Sequence, residues 1–356
     1  MDDDIYLRLR DKIDEYSVGF AATETGIEIK ILKKLFTEEE ARMYLNLTGD
    51  LQTAGEIAEK IDRDPREVEE ILHRMTEKGL TFPKFPKKPG DPFYYAAAPF
   101  VHGILEHQLH RMDSEIAELL EEFFRMGPIT RFVPALRTIP VNSAISENLM
   151  VAPYDDARSV IMRKERIAVA DCMCNDWQST RGGTCSQPKE VCFLFDFYGQ
   201  YYVDCGLGRW ISRDEALEKL KIAEKAGLIP HFSHSENPEA LCNCCPDCCA
   251  TLRGLKKFAQ PALFIPTNYY AALDAQLCSA CRDCVDRCPM DAAIMNEDIA
   301  EINLDRCIGC GLCVSTCPEN ARSLKQKPEE LSFVPPEKGV FMRPSKDIEE
   351  SIKSFL

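Results

Sequence analysis

The amino-acid sequence predicts a multidomain α+β protein, and three observations support this fold class. Its first hundred residues contain three helical segments, two of them with cap signals, followed by two short extended segments. The middle of the chain alternates helical and extended patterns. The last third contains two cysteine-rich loops of identical spacing. We therefore divide the 356 residues into an N-terminal module (1–100), a central domain (101–266), a C-terminal domain (267–326) and a tail (327–356).

In the N-terminal module, Thr37 and Glu40 form a capping box, the pattern in which each residue satisfies a free amide at the start of a helix. Asp64 and Pro65 open another helix, which ends at Gly79. Helices are predicted over residues 37–47, 53–61 and 65–78, and extended segments over 80–85 and 92–97. Three helices followed by a hairpin resemble a winged-helix module.

The central domain is predicted to be a cysteine-rich α/β unit. It opens with an amphipathic helix over residues 104–125, and a buried strand over 167–170 leads into the first group of cysteines. Ser212 and Glu215 cap a helix that runs to Ala226 and is closed by Gly227, with an extended piece at 228–230. In the tail, residues 345–355 are predicted to form a helix.

The composition and net charge of the chain disfavour several classes of function. The chain has 58 Asp and Glu against 43 Lys and Arg, a net charge of −15, which disfavours a nucleic-acid partner. It shows no signal-peptide pattern and no apolar run long enough to span a membrane, so we expect a cytoplasmic protein without membrane insertion. Its 18 cysteines are then expected to be reduced, and their grouping favours metal binding over disulfides.

The C-terminal domain repeats one cysteine motif, C-x2-C-x2-C-x3-C-P, with an offset of 29 residues between the two copies. The first copy has Cys278, Cys281, Cys284 and Cys288, and the second has Cys307, Cys310, Cys313 and Cys317. This motif is typical of two-cluster bacterial ferredoxins, in which three thiolates of one loop bind a [4Fe-4S] cube and the fourth cysteine binds the other cube.

This rule predicts two ligand sets. One cluster is held by Cys278, Cys281, Cys284 and Cys317, and the other by Cys307, Cys310, Cys313 and Cys288. Gly309 and Gly311 are expected to let the backbone approach a cluster closely. Two four-cysteine zinc sites are the alternative, but zinc ribbons usually separate two C-x2-C pairs by a longer insert.

The central domain contains nine further cysteines in two groups. They are Cys172, Cys174, Cys185 and Cys192, and then Cys242, Cys244, Cys245, Cys248 and Cys249. Additional iron–sulfur clusters, structural zinc and a redox-active dithiol all remain open for them, with iron–sulfur favoured. If the second group is helical from Pro246, adjacent cysteines point in different directions and can serve two sites. Cys205 stands alone and is expected to be a buried apolar residue.

A wider resemblance covers nearly the whole chain. The segments IAVADCMC, TCSQPKEVC, GLGRWISRDEALEKL and LCNCCPDCC, together with TGIEIKILKKLFTEEEA near the N-terminus, resemble a family of multi-cluster iron–sulfur proteins of anaerobic bacteria. The resemblance implies iron–sulfur cofactors and an anaerobic source. It says little about the physiological partner.

Three functional hypotheses follow. The first is an electron-transfer protein or subunit that relays single electrons through its clusters to a partner oxidoreductase. The second is an iron–sulfur enzyme with a substrate-reducing centre at the central cysteines. The third is a redox-sensing DNA-binding regulator, which the five acids against three bases of the helix over 64–78 disfavour. The histidines His102, His107 and His110 are predicted to be surface or core residues, and no flavin or nicotinamide motif is present.

Overall fold

The computed structural model describes residues 3–126, 135–337 and 339, and it shows a mixture of short helices and antiparallel sheets. The helix predicted over 345–355 lies outside the described residues. Among the helices that the structure describes, none has the length and apolarity required to cross a lipid bilayer.

The N-terminal region contains five helices and a small sheet. The helices are α1 (Asp3–Asp14), α2 (Ile27–Leu35), α3 (Glu38–Tyr44), α4 (Ala54–Ile61) and α5 (Pro65–Glu77), and the strands are β1 (Gln52–Thr53), β2 (Thr81–Lys84) and β3 (Tyr94–Ala97). The strand order is β1-β3-β2, with both pairs antiparallel. The capping box at Thr37 and the Asp64 cap are confirmed, whereas α1 and α2 were not predicted.

The first helix of the central region was predicted wrongly. Instead of one helix over 104–125, the chain forms short turns at Phe100–Ile104 and Glu106–Gln108, and α6 spans Ser114–Met126. His110 adopts a positive φ of 61°, which breaks the helical path. Asp113 then restarts the helix, because its carboxylate accepts a hydrogen bond of 2.9 Å from the Ile116 amide.

A six-stranded sheet organises the central region. Its strands are β4 (Leu136–Thr138), β5 (Ile167–Asp171), β6 (Glu190–Phe195), β7 (Gly208–Ile211), β8 (Ile229–Ser233) and β9 (Ala240–Cys244), and its helices are α7 (Ala157–Arg163), α8 (Met173–Thr180), α9 (Asp196–Asp204), α10 (Arg213–Ala226) and α11 (Ala250–Leu255). The strand order is β4-β8-β9-β6-β5-β7. All five pairings are antiparallel, so the α/β prediction for this region is corrected to α+β.

The structure confirms the predicted strand and the predicted helix caps of this region. The predicted strand at 167–170 corresponds to β5. The Ser212 hydroxyl accepts a hydrogen bond from the Glu215 amide at the start of α10, and Gly227 ends that helix in a left-handed conformation.

One hydrophobic core joins the N-terminal and central regions. Phe82 of β2 stacks on Tyr201 of α9 with ring centroids 3.9 Å apart. Trp177 of α8 is buried and donates a 2.8 Å hydrogen bond to the carbonyl of Ala117 in α6. Residues from α1 to β9 belong to the same cluster of buried side chains, so this core crosses the boundary expected near residue 100.

The C-terminal region repeats one structural unit. Its elements are the strands β10 (Tyr269–Leu273), β11 (Ala293–Asn296), β12 (Ile299–Ile302) and β13 (Arg322–Gln326) and the single-turn helices α12 (Asp283–Asp286) and α13 (Leu312–Ser315). Strand β10 pairs with β13, and β11 with β12, so the first and last strands of the repeat lie together. The amide of Val141 donates a 2.9 Å hydrogen bond to the carbonyl of Cys310, which attaches the repeat to the central region.

Candidate metal centres

The eight C-terminal cysteines surround two separate hollows. One is lined by Cys278, Cys281, Cys284 and Cys317, and the other by Cys288, Cys307, Cys310 and Cys313. Each hollow therefore receives three cysteines from one loop and the trailing cysteine of the other loop. These are the two sets that the sequence motif assigns to two cubes.

Backbone amides and one arginine donate hydrogen bonds to the sulfurs around these hollows. The amide of Ala292 donates to Cys288 Sγ over 3.2 Å, and that of Ala271 donates to Cys307 Sγ over 3.4 Å. Arg322 Nη2 donates to Cys284 Sγ over 3.3 Å. Such donors stabilise negative charge on sulfur and so raise the reduction potential of a bound cluster.

Gly309 allows the second cysteine loop to pack tightly against β10. Its φ is +69°, and a Cβ atom at this position would lie 2.3 Å from the carbonyl oxygen of Tyr269 and 2.6 Å from Thr267 Oγ1. Real Cβ atoms do not approach so closely, so another residue here would push the loop away from the strand.

The two hollows differ in exposure. Cys281, which lines the first, is exposed, whereas Cys307, Cys310 and Cys313 of the second are buried. Burial raises the pKa of the Cys313 thiol to about 12. A metal centre bound in the second hollow would therefore have to displace the proton of this thiol.

A cavity of about 500 Å³ adjoins the second hollow. Cys307 lines both spaces, and Tyr270, Leu304 and Lys327 form further parts of the cavity wall. Burial lowers the pKa of Lys327, with the neighbouring Cys307 thiol opposing the shift. Lys327 therefore lies in a partly desolvated position on the cavity side of Cys307.

Of the nine central cysteines, three converge at one point. Cys185, Cys245 and Cys248, here called the three-cysteine group, have sulfurs that all lie within 4.8 Å of one another. Cys185 lies in the loop after α8, while the other two follow the end of β9. The amide of Cys248 donates a 3.3 Å hydrogen bond to Cys245 Sγ.

The remaining six central cysteines form a second, larger group. This six-cysteine group consists of Cys172, Cys174, Cys192, Cys242, Cys244 and Cys249. Cys192 and Cys242 face each other across the β6–β9 pair. Hydrogen bonds from the thiols of Cys192 and Cys244 hold the pKa of Cys242 well below its ordinary value. Those from Cys172 and Cys249 lower the pKa of Cys174.

The adjacent cysteines of each Cys-Cys pair divide between the two groups. Cys244 and Cys249 belong to the six-cysteine group, and Cys245 and Cys248 to the three-cysteine group. Each Cys-Cys pair therefore contributes to both groups, but not through the helix from Pro246 on which the sequence-based expectation depended. The segment 246–248 is a turn, and α11 begins at Ala250. Successive side chains of an extended chain point to opposite faces, and this alternation where β9 ends, rather than helical geometry, separates Cys244 from Cys245.

Sequence reasoning missed several polar residues near these sites. Arg322 is 4% exposed, and no motif marked it. Glu106 is also buried, and desolvation raises its pKa despite the nearby His102. His102 and His231 are both buried near Cys242, and burial lowers the pKa of His231 to about 4. A buried polar residue is recognisable only once the fold brings it beside a charged group.

The other residues that the sequence singled out are two histidines and Cys205. His107 is buried with both ring nitrogens lacking a partner among the described residues, and His110 is exposed and pairs with Asp171 and Asp176. Cys205 is half-buried rather than fully buried, and burial raises the pKa of its thiol to about 12.

Comparison with known proteins identifies the C-terminal region. A family model described as a 4Fe-4S dicluster domain matches residues 271–318, the range that contains all eight cysteines of the repeat. No curated protein and no solved structure matches the chain. Residues 271–318 thus form a ferredoxin-type iron–sulfur domain, and the resemblance of the remaining chain to multi-cluster proteins of anaerobes stays a prediction.

Proposed function

We propose that this chain is an electron-transfer protein that relays single electrons through two [4Fe-4S] clusters to a partner oxidoreductase. The observation that carries the proposal is the pair of hollows, each lined by three cysteines of one loop and one of the other. Iron–sulfur cubes in such sites exchange one electron each with little change in structure. The cluster between Cys278, Cys281, Cys284 and Cys317 is called cluster 1, and the other cluster 2.

The difference in exposure supports an order of the electron carriers in the relay. Cluster 1 would lie beside the exposed Cys281, where a partner can approach it. Cluster 2 would lie on the side of Cys310, whose carbonyl is bonded to the central region. We infer the path partner, cluster 1, cluster 2, central cysteines, or its reverse.

Charge near cluster 1 indicates the type of partner. The residues around its loops include four exposed carboxylates, namely Asp274, Asp283, Asp286 and Glu319, against one exposed guanidinium, that of Arg282. Opposite charges on two proteins accelerate their encounter, and this effect weakens as salt is added. A redox partner with a basic docking patch therefore fits this surface.

For the N-terminal region we propose a winged-helix-like module that docks a protein rather than DNA. Helix α5 corresponds to the helix that reads the major groove in winged-helix proteins. Its exposed charged residues are Arg66, Glu67, Glu69, Glu70, Arg74 and Glu77. Four carboxylates against two guanidiniums would repel phosphates, and Arg74 is already paired with Glu39 at 2.7 Å.

A second candidate function is supported by the residues around the six-cysteine group. Glu106 is buried, desolvation raises its pKa, and its Oε2 accepts a 2.8 Å hydrogen bond from the Gly103 amide, which places a proton-exchanging group in the interior. A proton donor near a cysteine-bound redox centre suits an enzyme that reduces a substrate. Steady turnover of a small molecule by the reduced protein, lost in Glu106→Gln while the clusters remain, would favour this function over a simple relay.

The relay is tested by electron delivery. Protein reduced anaerobically with dithionite is mixed with a basic c-type cytochrome in a stopped-flow instrument, and the cytochrome's reduction is followed. We expect rapid one-electron transfer whose rate falls as ionic strength rises. Neutralising the surface with Asp283→Asn and Asp286→Asn should slow it, whereas Glu59→Gln, at an exposed position on α4 of the N-terminal region, serves as the control. A protein that dithionite cannot reduce would refute the proposal.

A further inference from the structure

The three-cysteine group differs from the ferredoxin cysteines in the spacing of its sulfurs. Cys185 Sγ and Cys245 Sγ lie 3.9 Å apart, and Cys248 Sγ lies within 4.8 Å of both. Among the eight C-terminal cysteines, all of which the structure describes, no three sulfurs lie this close together. Those eight surround hollows instead.

Sulfur spacing distinguishes a single metal ion from a cube. Four thiolates around one zinc ion, with Zn–S bonds of about 2.3 Å in a tetrahedron, lie ~3.8 Å from one another. In an iron–sulfur cube each thiolate binds a different iron and points away from the cube's centre, so the thiolate sulfurs are on the order of 6 Å apart. The spacing of the three-cysteine group matches the single ion and is too short for a cube.

The local chain geometry also suits a single ion. Cys245 and Cys248 form a C-x2-C turn in which the Cys248 amide donates to Cys245 Sγ, an arrangement that stabilises a thiolate. The group packs beside the apolar side chains of Val191, Ala223 and Leu228. Three thiolates in such surroundings repel one another strongly unless a cation lies between them.

We propose that Cys185, Cys245 and Cys248 bind one tetrahedral metal ion of the zinc class, separate from every iron–sulfur cluster. In the described part of the chain, no fourth His, Cys, Asp or Glu ligand atom joins the group within 4.8 Å. A solvent molecule or another small ligand therefore completes the tetrahedron. The ion fastens the loop after α8 to the end of β9. This site does not depend on the proposed electron relay.

X-ray absorption on the purified full-length protein tests the proposal. The zinc edge should show about three sulfur neighbours at ~2.3 Å and one oxygen or nitrogen, with no second metal nearby. Metal analysis should find about one zinc per chain in addition to the iron. Four sulfurs would overturn the open fourth position, and the absence of zinc from protein purified in zinc-supplemented medium would overturn the site itself.

Cysteine variants link the ion to these residues. Cys245→Ser should lose the zinc and keep the iron and sulfide of the wild type, whereas Cys205→Ser, which changes a cysteine outside both groups, should keep all three. Loss of iron and sulfide from a folded Cys245→Ser protein would show that the group holds a cluster. If that variant does not fold, cobalt exchanged into the zinc site of the wild type tests whether thiolates bind the ion. Intense thiolate-to-cobalt absorption is expected, and its absence would contradict the proposal.

Discussion

Arg322 is predicted to raise the reduction potential of cluster 1. It is almost fully buried, donates to Cys284 Sγ over 3.3 Å and also bonds the carbonyl of Ala300. The offset of 29 residues between the two cysteine loops places Ala293 at the corresponding position of the first repeat. The two clusters would therefore experience unequal charge although their cysteine ligands are equivalent.

The size of the effect follows from Coulomb's law. A unit charge about 6 Å from the centre of a cube, with an effective dielectric constant of about 20, changes the energy of an added electron by about 2.8 kcal/mol. For a one-electron couple this corresponds to about 120 mV, since about 59 mV is a tenfold change in equilibrium constant. Loss of the hydrogen bond to Cys284 acts in the same direction.

Arg322→Gln should thus lower the potential of cluster 1 by about 100 mV. Arg322→Lys keeps the charge and should produce a smaller decrease. Lys325→Gln, at an exposed position on the same strand, is the matched control and should change the potential by less than ~20 mV, because water and salt screen an exposed charge. Potentials are measured by anaerobic titration with EPR detection. An unchanged potential in an Arg322→Gln protein with full iron content would refute this reasoning.

Three further predictions concern cluster assembly and stability. Cys278→Ala should lower the iron content by about four per chain, measured by iron and sulfide analysis; unchanged iron would contradict the ligand assignment. Gly309→Ala should lose cluster 2 because of its contact with Tyr269, whereas Gly206→Ala, with a similar positive φ but open space, should keep its iron and lose about 1 kcal/mol of stability. His107 has its pKa lowered from 6.5 to about 4 by burial, so the unfolded chain takes up this proton first as pH falls. The free energy of unfolding should then decrease by up to ~3 kcal/mol as the pH falls from about 6.5 to about 4. Urea unfolding at pH 7 and pH 5 measures this change. The free energy of unfolding should decrease less between the two pH values in His107→Leu than in the wild type, and an equal decrease would exclude His107 as a cause of the pH dependence.

The features that the sequence predicted well depend on short-range chemistry. The capping box at Thr37, the cap at Asp64 and the glycine that ends α10 each involve residues within a few positions of one another. The double cysteine motif is equally local, since its spacing determines which sulfurs can reach one cube.

The features that could not be predicted from the sequence depend on long-range contacts. The partition of the central cysteines follows from the pairing of Cys192 with Cys242 in the sheet and from the approach of Cys185 to Cys245, 60 residues later. Spacing along the chain carries no signal for either contact. The helix predicted over 104–125 had suitable apolar periodicity, but the positive φ at His110 prevents a continuous helix.

The central claim, a pair of [4Fe-4S] clusters shared between two cysteine loops, is tested most directly by spectroscopy on anaerobically purified protein. Iron and sulfide should each reach at least about eight per chain, and the dithionite-reduced protein should give the EPR signal of two interacting cubes. A colourless protein whose C-terminal cysteines hold zinc, without sulfide, would contradict the account.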